Sequence, residues 1–330
     1  MTELRSKQRG KSRIPFRISH RLVSYYWERL QKNRLSLVGL GFIGFLVLTG
    51  IFGPLLVQDP QRTDFNIKNL PPLGFSIQES IYDIKTGEIT TTVIEGRPDY
   101  PLGTDSKGRD MLAMLVSGAR ISLLVGLIAT GIAIFLGTFV GVLSAYLGGW
   151  VDNALMRFTD IMMTFPFFLL LVLIVFIFGP SLAIIVLVIG LTGWTGAARL
   201  IRSEALSLRT RDFITASKAL GASDARVMFN HLIPNVSSLI IVMASLSIPG
   251  VIMAEASLSF IGLGDPMSTS WGTILNTGQH SLDSAWWVAV EPGIMLFLTV
   301  LSFNFFGDGL RDAFDPKASV LDLCAMVRVD

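Results

Sequence analysis

Long stretches without a single charge decide what this chain can fold into. Leu35–Val57 is uncharged for 23 residues, Ile121–Trp150 for 30 and Ile161–Ala198 for 38. Because a helix rises about 1.5 Å per residue, roughly 20 apolar residues cross the hydrocarbon core of a bilayer. Two further runs, Val236–Gly264 and Val288–Phe306, carry one acid each, Glu255 and Glu291. The 38-residue run is too long for one crossing and suits two, divided at Gly179-Pro180-Ser181. The pattern predicts an all-α integral membrane protein with six transmembrane helices. Composition agrees, with 51% hydrophobic and 16% charged residues and a mean hydropathy of +0.58. A signal peptide has a shorter apolar core and a small-residue cleavage site, so Leu35–Val57 reads as a retained first span.

Charge orients the spans. Residues 1–34 hold ten basic side chains against Glu3 and Glu28, which places this segment in the cytoplasm. The first helix, 35–57, then leads to a long extracytoplasmic loop, 58–120. Within it, alternation around Lys85-Thr86-Gly87-Glu88 predicts a hairpin. Thr104–Gly118 reads as an amphipathic helix lying on the membrane. Both features suit a solvated decoration or a binding surface. The core, 121–310, carries the second to sixth helices and an internal loop, 199–235. That loop holds Arg199, Arg202, Arg209, Arg211, Lys218 and Arg226 against three acids, and so is cytoplasmic. The segment after the fifth span has acids and no base, as expected outside. Its stretch SWGTILNTG, too short to cross, reads as dipping back into the membrane. The tail, 311–330, returns inside.

The cytoplasmic loop is the most structured polar segment. In Arg211–Asn235, RDFITASKALGASDARVMFNHLIPN, apolar Phe213, Ala216 and Leu220 form one helical face. Ala225, Met228, Phe229 and Leu232 form a second. Between them Gly221 can take the left-handed conformation that closes a helix, and Ser223 or Asp224 can cap the next; Pro234 is expected to end it. Such an elbow is a docking device or, on its arginines alone, an anchor to anionic lipid.

Two features within the spans stand out. Ala129, Ala133, Gly137, Gly141 and Ala145 recur every four residues, a small-residue stripe that admits a neighbouring helix closely. Glu255 lies within hydrocarbon, either as a functional acid or as a structural carboxyl satisfied between helices. Pro249-Gly250 predicts a kink in the same span.

Chemistry of other kinds finds no support. Cys324 is the single cysteine, and His20, His231 and His280 fall in different segments, so no metal cluster or disulfide is expected. Gly10-Lys11-Ser12 has Arg5 where a phosphate-binding loop needs its first glycine. No hydrolase elbow or metalloprotease helix occurs. A net charge of +2 gives no reason to expect nucleic acid. With few charges in the spans, uphill transport would need energy from a partner.

Arg211–Asn235 resembles the cytoplasmic loop of permease subunits of ABC importers, Glu-Ala-Ala, three residues, Gly, nine residues, Ile-x-Leu-Pro. Ala216, Gly221 and Pro234 match, whereas Thr215, Ser217, His231 and Ile233 depart. Further blocks, Leu102–Leu123, Gly148–Pro166, Ala254–Gly264 and Leu301–Pro316, are similar to the second permease of dipeptide, oligopeptide and nickel importers. The resemblance implies a type I importer permease fold with both termini cytoplasmic, in the cell (inner or plasma) membrane. It implies as partners a second permease, two ABC ATPase subunits that bind the ATP and magnesium, and an extracytoplasmic solute-binding protein. It further implies a coupling helix at about Asp212–Leu220, including Phe213, Thr215, Ala216, Ser217, Lys218 and Ala219, with Gly221 as the turn and Ala222, Ser223 and Asp224 starting the second arm. The chain itself would be non-catalytic and hold no cofactor. Peptides are the expected cargo, with nickel chelates as the alternative. A secondary transporter acting alone would instead show inverted repeats or matched polar breaks, and a membrane-anchored enzyme would need a catalytic group in its outer loop.

Overall fold

A computed structural model describes residues 26–31, 33–82 and 89–314. His20, Lys85-Thr86-Gly87-Glu88, Cys324 and most of the two terminal segments lie outside these. The first long helix, α1 (Arg34–Leu56), begins at Asn33, whose side chain accepts from the Leu35 and Ser36 amides at 3.1 and 3.4 Å. Two antiparallel strands follow, β1 (Ser76–Tyr82) and β2 (Ile89–Glu95).

α2 (Met111–Leu147) runs unbroken for 37 residues and is the axis of the bundle. It packs against α1, against α5 (Leu182–Thr192) and α6 (Thr195–Arg209), and against α9 (Ile233–Leu258). Ala129, Ala133, Gly137, Gly141 and Ala145 are all buried along it. At Gly141 a Cβ would stand 2.6 Å from the Ala198 carbonyl oxygen, so glycine is what lets α6 approach.

The helix read over Thr104–Gly118 is corrected. Residues 104–110 form a tight loop in which Asp105 accepts from the amides of Lys107 (2.9 Å) and Arg109 (2.8 Å) and pairs with the Arg109 guanidinium. A carboxylate that captures local amides competes with helix formation. Asp110 then caps α2 through the Leu112 amide at 2.9 Å. Met111, Met114 and Leu115, apolar enough to suggest a membrane-lying face, are core residues packed on Trp271 and Trp287.

The 38-residue run divides at Gly179, which has φ +88°, but its first part is not one helix. α3 (Gly149–Thr164) and α4 (Phe167–Phe178) meet at a 79° bend at Phe165-Pro166. A residue before proline is driven out of the helical region, and Phe165 has ψ +130°. Among the described residues five helical segments are long and apolar enough to cross a membrane, Arg34–Leu56, Met111–Leu147, Leu182–Arg209 (α5 running into α6), Asp224–Leu263 and Trp287–Phe314, and the count rises to six if the bent pair is one span.

α9 runs on through Pro249 to Leu258, and the chain departs from helical geometry at Gly262, with φ +87°. Pro249, where a kink is expected, thus lies inside a continuous helix. The short α10 (Trp271–Gly278) opens with a capping box between Ser270 and Thr273. Trp271 is 0% exposed and donates its indole N–H to the Leu115 carbonyl at 3.1 Å. α11 (Trp287–Phe314) closes the bundle against α1, α9 and α10.

Candidate functional site

The elbow lies at the end of the bundle where α2 and α6 terminate. α6 ends at Arg209, and α7 (Asp212–Ala219) starts after a turn in which the Ile214 amide donates to Arg211 at 3.1 Å. Its stop is a Schellman motif: Gly221, at φ +80°, donates to Lys218 at 2.9 Å and Ala222 donates to Ser217 at 3.1 Å. No atom lies within 4 Å of a Cβ added at Gly221, so the backbone angle alone demands glycine there. Ser223 caps the next turn by accepting from the Arg226 amide at 3.4 Å, opening α8 (Asp224–Val227).

The second arm does not end at Pro234. It passes through a π turn, Met228–Leu232, directly into α9, with Pro234 in the first turn of that helix. In the π turn the Ile233 amide reaches back five residues to Met228. A proline is tolerated in a first turn, where its missing N–H removes no established bond. The arm and the span are thus one continuous rod.

Burial reverses one face of the elbow. Ile214, in neither of the two expected apolar faces, is 1% exposed and packs with Leu208, Val227, Leu232 and Tyr146. Phe213, at 41%, and Leu220, at 88%, stand in the open. Asp212, Thr215, Ala216, Lys218, Ala219, Gly221, Ser223 and Asp224 are exposed as well, while Ser217 and Ala222 are half-buried. α7 is therefore pinned on one side by a single isoleucine and uncovered on the other.

Polar contacts tie α7 to the π turn and to α2, and further contacts join α8, α6 and α3 at the same end of the bundle. Ser217 Oγ lies 3.2 Å from His231 Nε2, joining α7 to the π turn. The Tyr146 hydroxyl, at the end of α2, donates to Asp224, and the Lys218 ammonium sits 4.5 Å from the centre of the Tyr146 ring. Arg209 donates to the Ala145 carbonyl at 3.0 Å. Arg202 grips Asp152 of α3 with two bonds of 2.6 Å, and Ser144 donates to the same carboxylate. Tyr146 and Asp152 lie far from the elbow in sequence, and no local pattern connects them to it.

Glu255 lies elsewhere, at the opposite end of α9. It is 1% exposed, and one carboxylate oxygen accepts from Ser259 Oγ at 2.6 Å. Its surroundings are the start of α10, not the elbow. Among the described residues no group of three metal-ligating side chains could hold an ion.

Comparison with known proteins places this arrangement. Residues 133–320 match the family described as the inner membrane component of binding-protein-dependent transport systems. Residues 22–72 match the N-terminal transmembrane domain of oligopeptide transport permease C. The oligopeptide transport system permease protein OppC of Haemophilus influenzae is 44% identical over 88% of this chain and 87% of its own length. The dipeptide transport system permease protein DppC of Bacillus subtilis is 35% identical over 88% and 84%. Among solved structures, the MetNI methionine ABC transporter in inward-facing conformations superposes with a TM-score of 0.52 at 20% identity, over 62% of this chain and 98% of that one. At that identity the likeness is one of fold.

Proposed function

We propose, from the premise that the chain belongs to the permease subunits of binding-protein-dependent ABC importers, that its elbow is the point where a partner's ATP cycle enters the membrane. The protein is a multi-pass inner-membrane permease of the oligopeptide and dipeptide type. In this reading α3 and α4 together make one broken span, giving six crossings with both termini and the elbow in the cytoplasm. The long loop 58–110 and α10 then face the opposite side, where a solute-binding protein delivers cargo.

The carrying observation is the asymmetry of α7, held by Ile214 while Phe213 and Leu220 are left open. An exposed apolar face on a short helix at a polar surface needs a partner to cover it. Each of two ATPase subunits would receive one such helix, one from this chain and one from a second permease. Small side chains at Ala216 and Ala219 allow close approach. When ATP closes the ATPase pair, α7 would move as a rigid lever. The contacts of Tyr146 with Asp224 and of Arg202 with Asp152 would carry that motion into α2 and α3, and the unbroken rod of α8 and α9 would carry it across the bilayer. ATP and magnesium belong to the partners; no residue of this chain takes part in hydrolysis.

The relatives' names make peptides the proposed cargo, with nickel chelates as the alternative within the same architecture. Reconstitution tests both parts. The chain with a second permease, two ATPase subunits and a binding protein is expected to take up labelled di- or oligopeptide only with ATP. Uptake by the chain alone, without ATPase subunits, would overturn the reading.

A further inference from the structure

α2 carries a single charged residue along its 37 positions, Arg120, and that residue is exposed. The stripe it belongs to is otherwise apolar: Leu124, Leu127, Ile128, Phe135 and Phe139 are exposed along the same side of the helix. That side is turned away from the buried small residues Ala129, Ala133, Gly137, Gly141 and Ala145. In a membrane small residues mark where another helix approaches, whereas bulky Leu, Ile and Phe face acyl chains. Arg120 therefore interrupts a lipid-facing stripe.

Its depth follows from α1. A Cβ added at Gly50 would stand 3.4 Å from Arg120 Cα, and one at Gly53 would stand 2.4 Å from Val116 Cγ1. The two helices thus run antiparallel in close contact, with Arg120 level with Gly50. Gly50 precedes Leu56, the end of α1, by six residues, or about 9 Å. α1 has 23 residues and so a length of about 35 Å, little more than the hydrocarbon thickness of roughly 30 Å. The backbone at Arg120 lies a turn or so inside the hydrocarbon.

Nothing in the chain neutralises it there. Neither α1 nor α2 holds an acid, and Arg120 makes no ion pair or hydrogen bond among the described residues. A charge at that depth is costly unless its head reaches a polar partner. Helical side chains lean towards the N-terminus, which for α2 is the end capped by Asp110, so the guanidinium snorkels towards the headgroups. Ser117 lies one turn further along that direction on the same face; it is half-buried, and its hydroxyl also has no partner. The Ser122 hydroxyl is sealed inside the bundle, whereas that of Ser117 is open to the surface.

The ligand that suits these two donors is anionic, accepts several hydrogen bonds and tolerates apolar neighbours. A phosphodiester bearing acyl chains meets all three conditions: the guanidinium fork binds two phosphate oxygens, and the chains lie along Leu124, Leu127 and Ile128. A helix of another subunit could supply an acid, but this bulky row gives it no close seat. We propose that Arg120 and Ser117 hold the phosphate of a phospholipid in the leaflet nearer the 104–110 loop, which is the outer leaflet if the permease reading above, on which that orientation rests, holds. A held headgroup fixes the height of α2, the axis of the bundle, in the membrane.

The test titrates phosphatidylglycerol into the complex purified in detergent and counts bound lipid by native mass spectrometry. Wild type should retain one lipid more tightly than Arg120→Leu, with affinity lowered about tenfold in that variant and about fivefold in Ser117→Ala. Arg120→Lys, which keeps the charge but not the fork, should fall between wild type and Arg120→Leu. Excess inorganic phosphate should not displace the lipid, since it brings no acyl chains. Equal lipid binding by wild type and Arg120→Leu would overturn the site, and so would displacement by inorganic phosphate. Loss of the second permease from Arg120→Leu preparations would overturn it in favour of a subunit contact. A wild-type complex without ATP-dependent peptide uptake would overturn the permease reading and leave the lipid count standing.

Discussion

α7 and α10 are both eight residues long, both lie between spans, and both break the run of membrane helices, yet they end up in opposite states. α10 buries Trp271, Gly272, Ile274 and Gly278 inside its own chain. α7 buries Ile214 alone. A short helix cannot hold itself together by propensity, so each depends on what it packs against. α10 has found its partners at α2 and α11; α7 has found half of what it needs. On the proposed function, the difference separates a structural element from one that a partner protein covers.

Substitutions can break this contrast from either side. The largest effect is expected at Trp271→Ala, which removes a fully buried indole and its bond to Leu115 and should cost about 3–5 kcal/mol. Thermal unfolding in detergent would register it, with or without ATPase subunits present. Leu220→Asp should do the reverse: stability unchanged within about 0.5 kcal/mol, because the side chain is exposed, but ATPase binding weakened by about 2 kcal/mol, measured by co-purification at graded ATPase concentration. Gly221→Val forces a β-branched residue to φ +80°, a strain of about 1–2 kcal/mol. The protein should still insert in the membrane while uptake uncouples from ATP hydrolysis; coupled, wild-type uptake would count against the lever. Smallest is Ser217→Ala, which removes the partly exposed contact to His231 and should cost about 0.5–1 kcal/mol, read as a slight drop in transport per ATP.

How much of this was legible from sequence depends on the kind of signal. The stop at Gly221 and the cap at Ser223 are local chemistry, and both stand in the structure where the residues place them. Which side of α7 is buried was not legible. Phe213, Ile214, Ala216 and Leu220 put apolar groups all round a helix of barely two turns, and only contact with Val227 and Leu232 selects Ile214. The passage through Pro234 depends on a π turn that no spacing announces. The bend at Phe165-Pro166 carries a local signal, the proline, inside a run whose lack of charge gives no sign of a break. At 104–110 local and distant contacts act together: Asp105 captures the Lys107 and Arg109 amides, and Trp287 of α11 donates to the Thr104 carbonyl at 3.0 Å.

Ser217 and His231 are a further case. Each departs from the loop pattern of ABC importer permeases when taken singly. In the structure they face each other at 3.2 Å, so the two departures form one contact between the arms of the elbow.

On the proposed function the open face of α7 is cytoplasmic and is covered by an ATPase subunit. Labelling of Leu220→Cys, in a Cys324→Ser background, with a membrane-impermeant maleimide addresses it directly. In inside-out vesicles Leu220→Cys should label rapidly when the permeases are present alone and become protected when the ATPase subunits are added, with no labelling from the outer face. Equal labelling with and without ATPase subunits, or labelling from the outer face, would contradict the account.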